Sequence, residues 1–184
     1  MLRFMYSAVR LIAAAGLAGL VSACAATTGP SPPMGGPVDA GPDRTAFVAE
    51  DFAWSQVKGK AQLAGRVTYR QGPVRYTCAG ATVILTPETP WSRRRMEVLY
   101  KSAERSALPS AEVRARTPMA PAGDSGPFIK RAVCDAADKF SYAGLADGAW
   151  YLITIAKPVG TTGDAVALMR RVVTKGGKLT VTEL

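Results

Sequence analysis

The sequence predicts an all-β fold: a seven-stranded antiparallel β-sandwich interrupted by one basic, partly helical insertion. Three observations lead there. Apolar residues alternate with a period of two in short runs, as in Leu63, Gly65, Val67 and Tyr69, the mark of strands with one buried face. Turn-forming clusters such as Gln71-Gly72-Pro73, Asp147-Gly148 and Gly176-Gly177 punctuate those runs at short intervals. Helical spacing is confined to one stretch, within about residues 88–127.

Residues Gln62 to Tyr69 read as the first strand, and Ala81 to Thr86 as the second, with Val83 and Leu85 on one face and Pro87 ending the ladder. In the insertion, Ser92 is expected to cap a helix running to about Ala107, with Met96, Leu99, Ala103 and Ala107 at helical spacing. Arg93, Glu97 and Lys101 then form an i, i+4 ladder on its exposed side. Val113 to Thr117 reads as a short strand or an extended loop, and Pro118, Pro121, Gly123, Gly126 and Pro127 as irregular chain. Five strands follow: Phe128 to Cys134, Lys139 to Ala143, Trp150 to Ala156, Val166 to Thr174, and Leu179 to Glu183. Along the third of these, Trp150, Leu152, Thr154 and Ala156 oppose Tyr151, Ile153 and Ile155. The expected core is Val67, Val83, Leu85, Phe140, Trp150 or the residues that alternate with it, and Val172. Seven strands complete a sandwich without the insertion, so the domain is expected to fold without its helix.

The chain begins with Arg3 and Arg10 and an apolar run from Leu11 to Leu20, closed by small residues, the pattern of a secretory signal peptide. Val21-Ser22-Ala23-Cys24 resembles the lipobox of bacterial lipoproteins. The resemblance implies cleavage before Cys24, a lipid on its sulfur, and a membrane-tethered exported domain. A plain secretory signal cut after Ala23 is the alternative reading. The apolar run from Leu11 to Val21 is shorter than the ~20 residues a bilayer core needs. Ala25 resembles the residue that sorts Gram-negative lipoproteins to the outer membrane, so a Gram-negative envelope is the expected location. The expected organisation is a signal peptide over 1–23, a lipid-anchored linker over 24–45 and the sandwich over 46–184. From Ala25 to Asp43 nine of nineteen residues are Gly or Pro, too little apolar content for a core. Phe47, Phe52 and Trp54 are expected to dock this lead-in on the domain.

With Cys24 assigned to lipid, Cys78 and Cys134 remain, and an oxidising compartment favours a bridge between them. Two buried free thiols are the alternative. There is no histidine, which removes Ser-His-Asp and Cys-His catalysis and the usual extracellular zinc sites. No catalytic residue, metal site or cofactor is predicted. The formal net charge of +9 suits anionic lipid head groups or acidic polymers in the envelope better than nucleic acid, or serves solubility alone.

Two stretches carry a resemblance of fold. Ala64-Gly65-Arg66-Val67-Thr68 and Ala79-Gly80-Ala81-Thr82-Val83-Ile84-Leu85 resemble the first two strands of the carboxypeptidase regulatory-like domain. The run from Cys134 to Tyr151, with Phe140, Leu145, Gly148 and Tyr151, is similar to that domain's signature hairpin. The resemblance implies a transthyretin-like (prealbumin-like) sandwich over about residues 60–87 and 128–184. Asp138 stands where that pattern has glycine, and Asp is among the few residues that tolerate a left-handed turn position.

Three motifs are set aside. Gly123-Asp124-Ser125-Gly126-Pro127 resembles the nucleophile segment of trypsin-like proteases, but without histidine the serine has no general base. Asp135 and Asp138 are too few for the 6–8 oxygens calcium takes, and read as turn residues. Gly176-Gly177-Lys178 lacks the spacing of a phosphate loop. Arg93, Arg94, Arg95 and Lys101, with Trp91 and Tyr100 nearby, form the candidate anionic-contact surface, against the plainer reading of a solvated helix face. Two functions follow. One is a lipid-anchored structural or protein-interaction module with an envelope protein partner. The other is a small binding protein for an anionic lipid, glycan or polymer that uses the insertion.

Overall fold

The computed structural model describes residues 45–184; the predicted signal peptide, Cys24 and most of the linker lie outside them. The chain opens with a 3₁₀ helix, Ala49–Gln56, that docks on the domain as expected: Phe52 is fully buried and the Trp54 ring lies 4.8 Å from Trp150, edge to face. Then come β1 (Ala61–Arg66), β2 (Arg70–Gln71), β3 (Val74–Thr77) and β4 (Thr82–Pro87). The insertion supplies α1 (Pro90–Tyr100), β5 (Arg105–Pro109) and α2 (Ser110–Ala115). The last third is β6 (Lys130–Val133), β7 (Lys139–Leu145), β8 (Gly148–Pro158), β9 (Val166–Thr174) and β10 (Leu179–Glu183).

These strands form two sheets, a β-sandwich-like arrangement of three and seven strands. The small sheet has the order β10-β1-β7. In the large sheet β8 is the spine, pairing with β9 along one edge and with β4 and then β3 along the other. Beyond these lie β6 on β4, β2 on β3, and β5 on β9. Ten strands replace the expected seven, because the β2–β3 hairpin and β5 were not legible as strands. Every pair is antiparallel except β1 with β10, which run parallel.

The main core lies between the sheets. Leu63, Phe140, Tyr142 and Leu145 of the small sheet meet Val83, Leu85, Trp150, Leu152, Leu168 and Val172 of the large one. All six expected core residues are buried there. Gly65 is required by this packing: a Cβ on it would sit 2.2 Å from Phe140 Cζ. The turns from β6 into β7 and from β7 into β8 are present, but each carries the chain from one sheet to the other. The segment similar to a signature hairpin is therefore a corner between sheets, not a paired hairpin.

A second cluster covers the outer face of the large sheet, where Met96, Leu99 and Tyr100 of α1 pack on Tyr151, Ala167 and Met169. Strand β8 is thus buried on both faces, which its continuous apolar run reflects. Burial pushes the Tyr100 phenol up to about 12, with Arg95 pulling the other way. The insertion is therefore a structural layer on that face of the sheet. Its helix also differs in extent. Thr89, not Ser92, caps it: Ser92 N donates to Thr89 Oγ1 at 3.1 Å and Thr89 N to Ser92 Oγ at 2.8 Å, a reciprocal capping box. It stops at Tyr100, where Lys101 turns left-handed at φ 57° and Ser102 Oγ accepts the amides of Glu104 and Arg105. Ala107, expected on the helix, lies in β5. Val113 belongs to α2, neither strand nor loop.

Candidate functional site

The site begins with a mismatch in width. Strand β5 extends the large sheet past β9, while the small sheet ends at β10. Along β9, Val166, Leu168 and Val172 point into the core between the sheets. Arg170 shares their row by strand alternation. Its partner across the ladder is Arg105 of β5, and Ala107 lies opposite Leu168. Among the described residues no strand lies above this inward face at β5. The result is an open groove of about 480 Å³, floored by Arg105, Ala107, Leu168 and Arg170 and walled by Thr68, Tyr69 and Leu184.

Its polar groups are only partly engaged. Arg170 Nη1 donates to the Glu183 carbonyl at 2.8 Å, tying the large sheet to β10. The Glu183 side chain follows the exposed row of β10 with Leu179 and Val181. Among the described residues no hydrogen bond or ion pair engages the Arg105 guanidinium, and no carboxylate pairs with Arg170. The Tyr69 ring stands edge to face on Tyr76 at 5.2 Å. Tyr76 is buried and donates its hydroxyl to Gln71 Oε1 at 3.0 Å. Tyr69 is therefore a half-buried aromatic wall held in place from behind.

The residues singled out from sequence lie elsewhere. Arg93 pairs with Glu88 at 2.8 Å and reaches Glu97 and Glu104 at 3.9 and 3.6 Å. Arg94 pairs with Glu97 at 3.3 Å. Arg95 donates to the Pro121 carbonyl at 2.8 Å and lies over the Trp91 ring. Lys101 pairs with Glu112 at 2.8 Å, not with Glu97 as the helical spacing implied, because the helix has already ended. Arg93 and Arg94 share Glu97 while Arg95 and Lys101 have other partners, so the four cations do not converge on one cradle. Of the four only Arg93 reaches Glu88, which also accepts from Tyr151 at 3.1 Å and from Arg171 Nε and Nη2, both at 2.7 Å. Burial pushes the Glu88 carboxyl up, but hydrogen bonds from Arg171 and Arg93 outweigh it, and its pKa is lowered. The network clamps α1, β8 and β9 together.

Cys78 and Cys134 form the expected disulfide, with Cα atoms 5.7 Å apart. Beside it, Asp138 takes a left-handed φ of 62° and buries its carboxylate. That carboxylate accepts from Thr77 Oγ1, from the Cys78 amide at 2.9 Å and from Arg75 at 3.3 Å. Asp135 Oδ1 accepts the amides of Ala137 and Lys139, both at 2.8 Å, so both acids serve the turn. Asp124 likewise accepts the Gly126 amide within the segment that resembled a protease motif. Asp147 accepts the amides of Gly176 and Gly177, joining two turns. Among the described residues no buried side-chain nitrogen or oxygen lacks a hydrogen-bond partner, and no helix is long and apolar enough to cross a membrane.

Sequence reasoning missed the groove because Arg105 and Ala107 were placed on a helix. The signal was present in Ser102 and in the alternation of residues 105–109, which suits an edge strand as well as a frayed helix end.

No protein-family model matches the chain, and no curated protein matches it. A solved structure does resemble it. The chain is similar to PA1324 of Pseudomonas aeruginosa, described as a "putative carbohydrate binding protein", with a TM-score of 0.54 and 17% identity. The likeness covers 75% of this chain and 97% of that one. At this identity the likeness is one of fold.

Proposed function

We propose that this chain is a non-catalytic binding domain of a Gram-negative envelope, anchored by a lipid on Cys24, whose groove beside β5 takes a carbohydrate. The observation that carries the reading is the groove itself: an open channel of about 480 Å³ with a fixed aromatic wall and two guanidinium groups. Sugars are recognised by aromatic faces that meet their C–H surfaces and by planar polar groups that meet their substituents. The fold likeness to a protein described as carbohydrate-binding supports the same reading. It favours the binding-protein function over the interaction-module function. The latter rests on a different surface, the edge strand β10, where Leu179 and Val181 are 58% and 73% exposed.

Within the same reading, the sandwich is of the transthyretin-like type seen in carboxypeptidase regulatory-like domains. The left-handed Asp138, at the glycine position of that pattern, supports this. The envelope assignment rests on the lipobox-like residues before Cys24.

The test is retention of the full chain on immobilised saccharides of varied composition, beside Tyr69→Ala. Wild type should be retained by at least one saccharide and the variant should not. Equal retention of both proteins would move binding away from the groove, and retention of neither would end the reading. For the anchor, Cys24→Ser should abolish lipid labelling and leave the membrane fraction; a wild type that takes up no label would exclude it.

A further inference from the structure

Resting on that reading, we infer that the groove is built for an acidic saccharide, whose carboxylate binds between Arg105 and Arg170 while its ring lies on Tyr69. Arg105 and Arg170 are directly opposite on β5 and β9. Like charges at opposed positions destabilise a sheet. Here they occupy an inward row whose other members on β9 are Val166, Leu168, Val172 and the buried Thr174. A carboxylate placed between them turns the repulsion into paired, charge-assisted hydrogen bonds, because each guanidinium presents a planar fork of donors.

The donors are available. Arg170 spends one nitrogen on the Glu183 carbonyl, and that bond holds its head at the mouth of the groove. Arg105 spends none among the described residues. By contrast Arg93, Arg94 and Lys101 are each paired with glutamates. Arg95, which lines a smaller cavity, is spent on the Pro121 carbonyl and the Trp91 ring. Among the described residues neither groove arginine has an ion-pair partner, although Glu183 also lines the groove.

The neighbours select the rest of the ligand. Tyr69 lines the groove with its ring steadied edge to face by Tyr76, an aromatic surface suited to the C–H groups of a pyranose. Ala107 is small and leaves the floor open. Thr68 lies along the lining, and its hydroxyl, which donates to the Leu184 carbonyl at 3.4 Å, keeps its lone pairs for a ring hydroxyl. A bare phosphate would satisfy the arginines but leave the aromatic wall unused. A uronate unit uses both.

The experiment is calorimetric titration of the full chain with tetramers of galacturonate, guluronate and glucuronate, and with their methyl esters. The esters keep the sugar and remove the charge. Inorganic phosphate and phosphatidylglycerol vesicles are the other probes. The variants are Arg105→Ser, Tyr69→Ala and, as a control outside the groove, Arg94→Ser, each checked for an unchanged melt. At least one oligouronate should bind, about tenfold or more tightly than its ester, and Arg105→Ser should remove about that advantage. Added salt should weaken the acid and not the ester, and Arg94→Ser should bind as wild type does. Equal binding of acid and ester, lost in Tyr69→Ala, would overturn the carboxylate inference and leave a neutral-sugar site. Binding of phosphate or vesicles with no saccharide bound would overturn both the inference and the carbohydrate reading. Loss of binding in Arg94→Ser but not Arg105→Ser would relocate the site to α1.

Discussion

The carboxylate of Asp138 accepts the backbone N–H of Cys78 at 2.9 Å, so one buried acid joins the turn before β7 to the half-cystine that follows β3. The same residue holds a left-handed backbone. It therefore has two separable jobs, and two substitutions divide them. Asp138→Ala removes the carboxylate and keeps a Cβ in the left-handed region; Asp138→Gly removes the carboxylate and relieves the backbone. Urea unfolding should show Asp138→Ala less stable than wild type by about 2–4 kcal/mol. Asp138→Gly should be milder by about 1 kcal/mol. Equal losses would mean that the turn conformation contributes nothing.

Cys78 and Cys134 close a loop with a sequence separation of 56. Removing that constraint from the unfolded chain costs roughly 4 kcal/mol of stability on the chain-entropy account. Reduction, or the double change to Ser, should lower the melting temperature accordingly. A melt indifferent to reductant would show the bridge to be thermodynamically idle.

The Glu88 network makes stability depend on pH with a definite sign. The Glu88 carboxyl is lower in the folded protein than in the unfolded chain. It therefore adds stability above the unfolded value of about 4.3, and this is lost as pH falls through the folded value. Stability should decline below about pH 5, and Glu88→Gln should flatten that decline. At the other extreme, burial raises the phenols of Tyr100, Tyr142 and Tyr151. Their contribution is present below the unfolded value of about 10 and lost as pH rises through the folded values. Chemical unfolding across pH 3–11 tests both limbs; a Glu88→Gln curve parallel to wild type in acid would remove Glu88 as its source.

Replacing residues 91–118 by a short Gly/Ser loop should abolish the cooperative melt. The deletion strips α1 from Tyr151, Ala167 and Met169, and takes β5 from the edge of β9. Met96→Ala and Leu99→Ala, which leave β5 in place, should each cost about 2–4 kcal/mol. A deletion variant with a sharp melt by circular dichroism would show the outer layer to be dispensable.

Gly65→Ala should destabilise by about 1–3 kcal/mol, because the added methyl meets the Phe140 ring. Phe140→Leu in the same chain should recover part of that loss, a coupling read from a double-mutant cycle. Additive effects would place the clash elsewhere.

Much of the sandwich was legible because burial on one face writes itself into alternation. The bounds of β9 and β10 and the six core residues were read from that signal. What was not legible was pairing. Asp135 to Asp138 and Asp147-Gly148 have the local chemistry of tight turns whether the next strand pairs with the last one or crosses to the other sheet. The end of α1 was missed because Met96, Leu99, Ala103 and Ala107 keep a helical period past the point where Lys101 reverses the backbone. With β5 unread, the opposition of Arg105 and Arg170 could not be seen, since it exists only through a ladder between residues far apart in sequence. The arginine triplet of α1 stood out in the sequence by being consecutive, a property that says nothing of where the glutamates sit.

Because β5 comes from the insertion and adds width to one sheet alone, the part of the chain that completes the groove contributes no residue to the core between the sheets. Substitution at positions 105 and 107, or a change in the length of the excursion that kept the β5–β9 ladder, would alter what the groove accepts without touching a residue between the sheets. On the proposed carbohydrate-binding function, ligand preference can therefore diversify while the scaffold stands still, and positions 105 and 107 are the natural sites for redesigning it.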